Sequence, residues 1–123
     1  MFVFYFPMTA DAFRRLALSF PEACEGSHHG NADFRVGNRI FATLGAEKSG
    51  FGTLLLLPDQ QRAFIEEHPA LFLPVPGGWG LRGSTFVRLA PARLAQVRPA
   101  LGLAFENALA KGPTRPKRPR PAL

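Results

Sequence analysis

The sequence predicts one α+β domain, in which an antiparallel sheet of about five strands packs against an N-terminal and a C-terminal helix. Apolar residues recur at helical spacing over residues 9–20 and again over residues 92–110. Between these segments, alternating apolar runs flank the dipeptide Gly37-Asn38, a pattern typical of a two-residue β-hairpin. Hairpin-connected strands framed by helices indicate an antiparallel sheet with helices on one face.

The boundaries of the first helix are marked by particular residues. Thr9 is a suitable N-cap, because its hydroxyl can accept a hydrogen bond from a backbone N–H of the first turn. Pro21 ends the helical pattern, since the residue before a proline is disfavoured in the helical conformation. Residues 21–32 are polar and rich in turn-forming residues, so we predict a loop there.

Short apolar runs predict the strands, at residues 33–36, 39–44, 51–57, 71–73 and 84–89. Alternation in the first of these strands places Phe34 and Val36 on one face of the sheet. Asp33 and Arg35 then lie on the opposite face.

Three features lie between and after the strands. Pro58 opens a short helix, and residues 77–80 are predicted to form an extended loop. Pro99 lies inside the last helical pattern, where it either kinks the helix or marks a true start near Arg98.

The domain is predicted to span residues 8–110. Residues 111–123 combine prolines with basic residues and cannot pack a core, so we predict a disordered basic tail. Residues 1–7 are apolar and end in Pro7. They are either an apolar extension, such as an extra edge strand, or a mis-assigned start before Met8.

The net charge of +6 is concentrated in this tail. Its cations are Lys111, Arg115, Lys117, Arg118 and Arg120, and it contains no acidic residue. The remaining residues are nearly neutral, with ten basic and nine acidic side chains. The tail therefore predicts attraction to polyanions such as nucleic acid.

Cys24, His28 and His29 predict neither a catalytic site nor a metal site. Adjacent histidines in a loop rarely face one ion, and zinc needs ligands that converge tetrahedrally. Cys24 has no evident orienting partner, so a semi-buried thiol is expected rather than a nucleophile. The sequence also contains no Gly-rich phosphate loop, paired-carboxylate site or nucleophile elbow. We therefore expect no enzyme activity and no cofactor.

A single cysteine excludes an intramolecular disulfide and favours a reducing compartment. No apolar run approaches the roughly 20 residues that span a bilayer. We therefore expect a cytoplasmic protein with no membrane partner.

Four arginines on or beside the predicted strands are candidates for phosphate binding: Arg35, Arg39, Arg82 and Arg88. They form a basic stripe on the solvent side of the sheet unless acids such as Asp33 neutralise them.

A second candidate is a pocket between the loop and the sheet, formed by His28, His29, Phe34 and Trp79. Glycines surround Trp79 and give its segment an unusual backbone path. The indole is either a platform on which a base or a partner packs, or a lid that folds back onto the core.

Several segments occur together in a fixed order. They are Met8-Thr9-Ala10-Asp11-Ala12-Phe13-Arg14-Arg15-Leu16-Ala17-Leu18, Gly26-Ser27-His28-His29-Gly30, Asp33-Phe34-Arg35-Val36, Ile40-Phe41-Ala42-Thr43-Leu44 and Pro74-Val75-Pro76-Gly77-Gly78-Trp79-Gly80. In combination they resemble the MmcQ/YjbR-like family over about residues 8–110.

The resemblance implies a fold similar to that of the iron-binding protein frataxin, with terminal helices on an antiparallel sheet. It also implies DNA binding through a "double wing" of strands and loops. The wings here are the Gly37-Asn38 hairpin and the loop at residues 77–82. Iron binding of the frataxin kind needs clustered carboxylates on the first helix, where this chain has Arg14 and Arg15 beside Asp11. We therefore expect no iron.

Two functional hypotheses follow. The first is a non-enzymatic DNA-binding protein of weak sequence specificity, in which the four arginines and the basic tail contact phosphates. The second is a module that binds a small anionic ligand or a protein partner in the pocket near His28, His29 and Trp79.

Overall fold

The structure is a computed structural model that describes residues 8–114. In chain order the elements are α1 Ala10–Leu18, β1 Cys24–His28, β2 Asn31–Val36, β3 Arg39–Thr43, a 3-10 turn Glu47–Ser49, β4 Phe51–Leu55, α2 Pro58–Glu67, β5 Phe72–Pro74, α3 Gly78–Leu81, β6 Ser84–Arg88 and α4 Leu94–Ala110.

The six strands of residues 8–114 join one antiparallel sheet of order β1-β2-β3-β4-β6-β5. The helix α1 precedes the strands in the sequence and the helix α4 follows them, and both pack on the same face of the sheet. The predicted α+β class is confirmed, with six strands where about five were expected.

The additional strand is β1, and the prediction of a loop at residues 21–32 was wrong. A two-residue turn joins β1 to β2, with His29 at φ 51° and Gly30 at φ 77°. Positive φ at both central positions gives a turn whose twist matches that of the flanking strands. The sequence of β1 lacks apolar alternation because β1 is an edge strand and is largely exposed to solvent.

The predicted hairpin between β2 and β3 is confirmed, with positive φ at both Gly37 and Asn38. Its pairing contains a bulge, because Phe34 pairs with Ala42 whereas Arg35 pairs with Ile40. Phe41 is the extra residue on β3. The bulge allows neighbouring residues of β3 to face the same side of the sheet, and Phe41 is fully buried under the helices.

Aromatic side chains fill the core between the sheet and the helices. Phe41 makes edge-to-face contacts with Phe20 and Phe105, at centroid distances of 6.4 and 5.5 Å. Phe13 of α1 packs on Phe34 in the same way at 6.2 Å. Such pairs stabilise a core beyond the area that they bury.

The helix boundaries follow the capping chemistry of the sequence. The side chain of Thr9 accepts the Ala12 N–H at 3.0 Å, as predicted, and α1 ends at Leu18. The helix α4 begins at Leu94 and continues through Pro99, so the alternative start near Arg98 was wrong. Residues 77–80 were predicted to be an extended loop, but Gly78–Leu81 forms a single helical turn.

The root of the predicted tail is attached to the domain. The Thr114 N–H donates to the Gly37 carbonyl at 3.0 Å, and the Arg39 Nε–H donates to the Gly112 carbonyl. The predictions for residues 1–7 and for the rest of the tail, 115–123, lie outside the described residues. Across residues 8–114, no helix combines the length and apolarity that crossing a membrane requires.

We predict that Gly52→Ala destabilises the fold by about 1–3 kcal/mol, the usual cost of overpacking a core. Gly52 faces the helices, and an added Cβ would lie 2.6 Å from a ring carbon of the fully buried Phe13. Gly45→Ala is the matched control, since its Cβ would meet no atom closer than 3.8 Å. Urea unfolding of both variants measures the difference, and equal stabilities would contradict this packing.

Candidate functional site

The face of the sheet that α1 and α4 do not cover is the candidate functional surface, and we call it the open face. The strand pairing identifies its residues. Thr53 pairs with Thr43 on one side and with Phe86 on the other, so these three side chains share this face. By alternation Phe51 and Leu55 of β4 lie there too.

The open face carries an asymmetric charge. Strands β3 to β6 contain no acidic residue, and Glu25 of β1 bonds to Arg14 of α1 on the helix side at 2.9 Å. Asp33 is therefore the one acid on the open face of the described strands, and it is fully buried. The other acids lie on helices or in turns: Asp11, Glu22, Glu47, Asp59, Glu66, Glu67 and Glu106. A domain that is nearly neutral overall thus presents a basic sheet face.

Asp33 is held by two basic side chains. Arg35 donates Nε–H to one carboxylate oxygen at 2.7 Å and Nη2–H to the other at 3.0 Å. His28 meets the second oxygen through Nδ1 at 2.7 Å. The hydrogen bond from Arg35 lowers the pKa of Asp33 below its ordinary value of 3.8. Burial raises this pKa and the hydrogen bond with His28 lowers it, both by less than the Arg35 bond does. The carboxylate is an acceptor only, so the imidazole must carry its proton on Nδ1.

Gly26 makes room for this cluster on the neighbouring strand. A Cβ at Gly26 would lie 2.8 Å from Arg35 Nε and 2.9 Å from an Asp33 carboxylate oxygen. The small residue in the middle of β1 therefore lets the ion pair lie flat against the sheet.

Aromatic side chains with nearby cations form a second part of the open face. Phe51 and Phe86 are stacked, with ring centroids 4.5 Å apart and planes inclined by 5°. The guanidinium carbon of Arg88 lies 5.6 Å from the Phe51 ring centroid. The guanidinium carbon of Arg82 lies 5.7 Å from the Trp79 ring centroid. Both distances are within the range of cation–π attraction.

A pocket of about 210 Å³ lies between His28 and Trp79. Its floor includes Thr43, Thr53 and Leu55 of the central strands. His28 comes from an edge strand, whereas Trp79 comes from the connection between β5 and β6 on the other side of the sheet. Because both residues line one pocket, the open face is concave.

The two predicted wings lie at the same end of the sheet. Antiparallel pairing brings together Arg39 at the start of β3, Leu55 at the end of β4 and Ser84 at the start of β6. The hairpin turn and the segment at residues 77–82 both project from this end, which we call the wing end. A second cavity of about 320 Å³ lies there, lined among others by Arg39, Lys111 and Thr114.

The structure separates the four arginines that sequence analysis grouped into a stripe. Arg35 is neutralised by Asp33, the alternative that the sequence left open, and Arg39 is bonded to the Gly112 carbonyl. Arg82 and Arg88 are exposed beside aromatic rings. Lys111 lines the cavity at the wing end, whereas Arg115, Lys117, Arg118 and Arg120 lie outside the described residues.

The predicted pocket is partly assembled. His28 and Trp79 line it, and Trp79 is 66% exposed, so the indole does not fold back as a lid on the core. Phe34 was wrongly assigned to the pocket, because it faces the helices and is fully buried. His29 forms the β1–β2 turn and contacts the pocket only through the His28 ring, at a centroid distance of 5.8 Å. Cys24, expected to be semi-buried, is exposed.

Sequence analysis missed the residues of the central strands. Thr43, Thr53, Phe51 and Phe86 line or flank the pocket. The alternation in β6 could have indicated that Phe86 faces away from the helices. The signal in β4 was hidden because the run Leu54–Leu57 carries no alternation of apolar and polar residues that would tell its two faces apart. Within residues 8–114, no group of three metal-binding side chains converges.

These features define a small α+β domain with one helix-covered sheet face and one open, concave, basic face. The chain belongs to the YjbR family, whose family model matches residues 18–101. The crystal structure of protein DR2400 from Deinococcus radiodurans, which has a DUF419 domain, is similar with a TM-score of 0.70. It is 18% identical, and the match covers 88% of this chain and 83% of that one, so the likeness concerns the fold. The curated proteins contain no match to this chain.

We predict that Arg35→Met lowers the free energy of unfolding by about 3 kcal/mol at neutral pH, because it leaves a fully buried carboxylate without its main partner. Arg88→Met, at an exposed position on the same face, should change stability by no more than about 0.5 kcal/mol.

The effect of pH has a definite sign. The pKa of Asp33 is lowered in the folded protein, so its ion pair stabilises the fold above the unfolded pKa and loses this effect as pH falls through the folded value. The stability gap between wild type and Arg35→Met should therefore narrow below about pH 4. Chemical unfolding at a series of pH values tests this, and a gap that stays constant would contradict it.

Proposed function

We propose that this protein is a non-enzymatic DNA-binding protein, and that its open sheet face contacts unpaired nucleotides. The observation that carries the proposal is the pairing of exposed cations with aromatic rings, Arg82 beside Trp79 and Arg88 beside Phe51. Proteins that bind single-stranded nucleic acid combine a basic groove with aromatic side chains on which bases stack.

The charge distribution supports the same proposal. Phosphates approaching the open face meet Arg82 and Arg88, and the one carboxylate of its strands is buried and already paired. The exposed acids lie on the helix side or in the turns. A polyanion is therefore favoured on one side of the domain and disfavoured on the other.

The wing end extends the basic surface. Arg39 and Lys111 line a cavity beside the hairpin turn, and the attached segment at residues 112–114 leads into the basic tail from this point. The tail cations Arg115, Lys117, Arg118 and Arg120 would add affinity that does not depend on sequence.

Unpaired DNA suits this surface better than the groove of a duplex. Two of the four arginines proposed from the sequence are occupied by Asp33 and Gly112, which weakens a mode that depends on many phosphate contacts. The open face is concave and partly aromatic, whereas a duplex groove admits a projecting element such as a helix or the β2–β3 ribbon, whose arginines are the two already bonded. Exposed bases supply the flat apolar faces that aromatic side chains contact.

A binding role is proposed rather than catalysis because of what surrounds His28. Its Nδ1 is oriented by Asp33, as in a catalytic triad. Among residues 8–114, however, no serine, threonine or cysteine side chain is seen bonded to this imidazole. The hydrogen bond between His28 and Asp33 is explained by the need of the buried carboxylate for partners.

The pocket itself supports a second candidate function, the binding of a small ligand or of a protein partner. Trp79, Val75 and Leu55 give its lining apolar character. This function predicts binding that survives high salt and that is lost in Trp79→Ala, whereas phosphate-driven binding weakens steeply as salt increases.

We predict that replacing both Arg82 and Arg88 by Gln weakens binding to single-stranded DNA about tenfold or more. The slope of log affinity against log salt should become shallower by about 1.4, because each phosphate contact on a single strand contributes about 0.7. Fluorescence anisotropy of a labelled oligonucleotide at several salt concentrations measures both quantities. The matched control replaces Arg15 and Arg98 by Gln, which removes the same charge from a recess on the helix side.

A second full-length variant separates the domain from the tail. It replaces Arg115, Lys117, Arg118 and Arg120 by Gln and leaves the bonds of residues 112–114 in place. We expect weaker binding with a slope shallower by up to about 3, but not a loss of binding. If this variant binds no DNA while the Arg82/Arg88 variant binds normally, the tail is a generic polycation and the proposed role of the domain is wrong.

A further inference from the structure

We infer that the pocket between His28 and Trp79 holds a single unpaired nucleobase, with the adjoining phosphate beside Arg82. This inference rests on the proposed function, since it specifies how the same face would hold DNA. It adds a particular subsite and a ring stacked on Trp79.

The size of the pocket limits the group that fits. Its volume of about 210 Å³ is below the range of about 300–1,000 Å³ typical of pockets for drug-sized ligands. One flat ring system fits this space, whereas a whole nucleotide does not. The sugar and phosphate of the same residue must therefore lie outside the pocket.

The lining matches a flat group with apolar faces and a polar edge. The indole of Trp79 is a stacking surface, and Ile40, Leu55 and Val75 supply aliphatic contacts. The hydroxyl-bearing residues are Thr43, Thr53 and Ser84. A hydroxyl group both donates and accepts, so it can meet either kind of group on a base edge.

His28 supplies a polar group of known orientation at the rim. Its Nδ1–H is directed to the Asp33 carboxylate, which leaves Nε2 as the ring nitrogen that can meet a ligand. In the neutral imidazole Nε2 is an acceptor, suited to an N–H on the edge of a base. The cluster that neutralises Asp33 therefore also fixes one hydrogen-bonding direction in the pocket.

Arg82 is suited to the phosphate. Its guanidinium carbon lies 5.7 Å from the Trp79 ring centroid, so it places a positive charge beside the stacking surface. No acidic residue lines the pocket. The cavity that contains Arg39 and Lys111 shares Ile40 and Leu55 with the pocket, but Ala104, Asn107 and Ala108 of α4 also line it, so it lies on the helix side of the wing end. A neutral protein side chain in the pocket would leave Arg82 without an anionic partner, which favours a nucleotide as the occupant.

Trp79 is the only tryptophan of the chain, so its fluorescence reports on the pocket directly. The full-length protein is titrated with a short oligothymidylate and with an abasic oligonucleotide of the same length, which has the phosphates but no bases. We expect oligothymidylate to quench Trp79 fluorescence and to bind about tenfold more tightly or better, because stacking one base on an aromatic ring contributes strongly. The abasic strand should bind weakly and leave the fluorescence nearly unchanged.

Three variants separate stacking from folding. Trp79→Ala should remove the preference for the base-containing strand and leave affinity for the abasic strand within about twofold, measured by anisotropy. Trp79→Phe should restore most of the preference, because phenylalanine also stacks. Leu81→Ala is the matched control, since Leu81 is 83% exposed on the same short helix and does not line the pocket.

The outcomes distinguish this inference from the proposed function. If the protein binds neither strand, the proposed function fails and the base subsite fails with it. If both strands bind equally and Trp79→Ala has no effect, DNA binding stands but the base subsite is overturned. If Trp79→Ala abolishes binding of an unrelated apolar molecule and leaves DNA binding intact, the pocket belongs to another ligand and the inference is wrong.

Discussion

The buried carboxylate of Asp33 is the constraint on which the open face depends. A charge without solvent must be paired and hydrogen-bonded, and its partners are Arg35 of the same strand and His28 of the adjoining strand β1. Meeting this requirement fixes the Arg35 side chain, orients His28 and requires glycine at position 26. One electrostatic requirement therefore places three side chains on the β1 and β2 part of the open face. It also pairs the one carboxylate that the described strands carry on this face.

The fold was predictable where apolar periodicity was strong. The terminal helices, the β2–β3 hairpin and the frame of an antiparallel sheet follow from spacing and turn chemistry. The strand β1 was missed because its stability comes from pairing with β2 and not from burial, so its sequence carries no alternation. The bulge at Phe41 was missed for a related reason. An extra residue shifts the facing of a strand without leaving a mark in composition.

The candidate site was predicted in part, and its errors have a common origin. Sequence analysis identifies residue types, but the burial of each side chain and the neighbours of its strand decide which partners it finds. Arg35 and Arg88 look alike in the sequence, yet one is held by a buried acid and the other lies beside a phenylalanine ring. Trp79 was recognised as distinctive, but the sequence left open whether its indole is exposed, and the structure places it exposed on a single helical turn.

The attachment of residues 112–114 to the hairpin turn has a consequence for how the tail acts. Residues 115–123 can reach at most about 30 Å from Thr114, even when fully extended. Covalent attachment at Thr114 therefore sets that distance as the limit for the four cations of this segment. A strand already held by the domain would meet them at a high effective concentration, as the second arm of a bivalent ligand does. A tail free from Ala110 onward would extend that reach by about 13 Å, the length of four extended residues, and would dilute its charges accordingly.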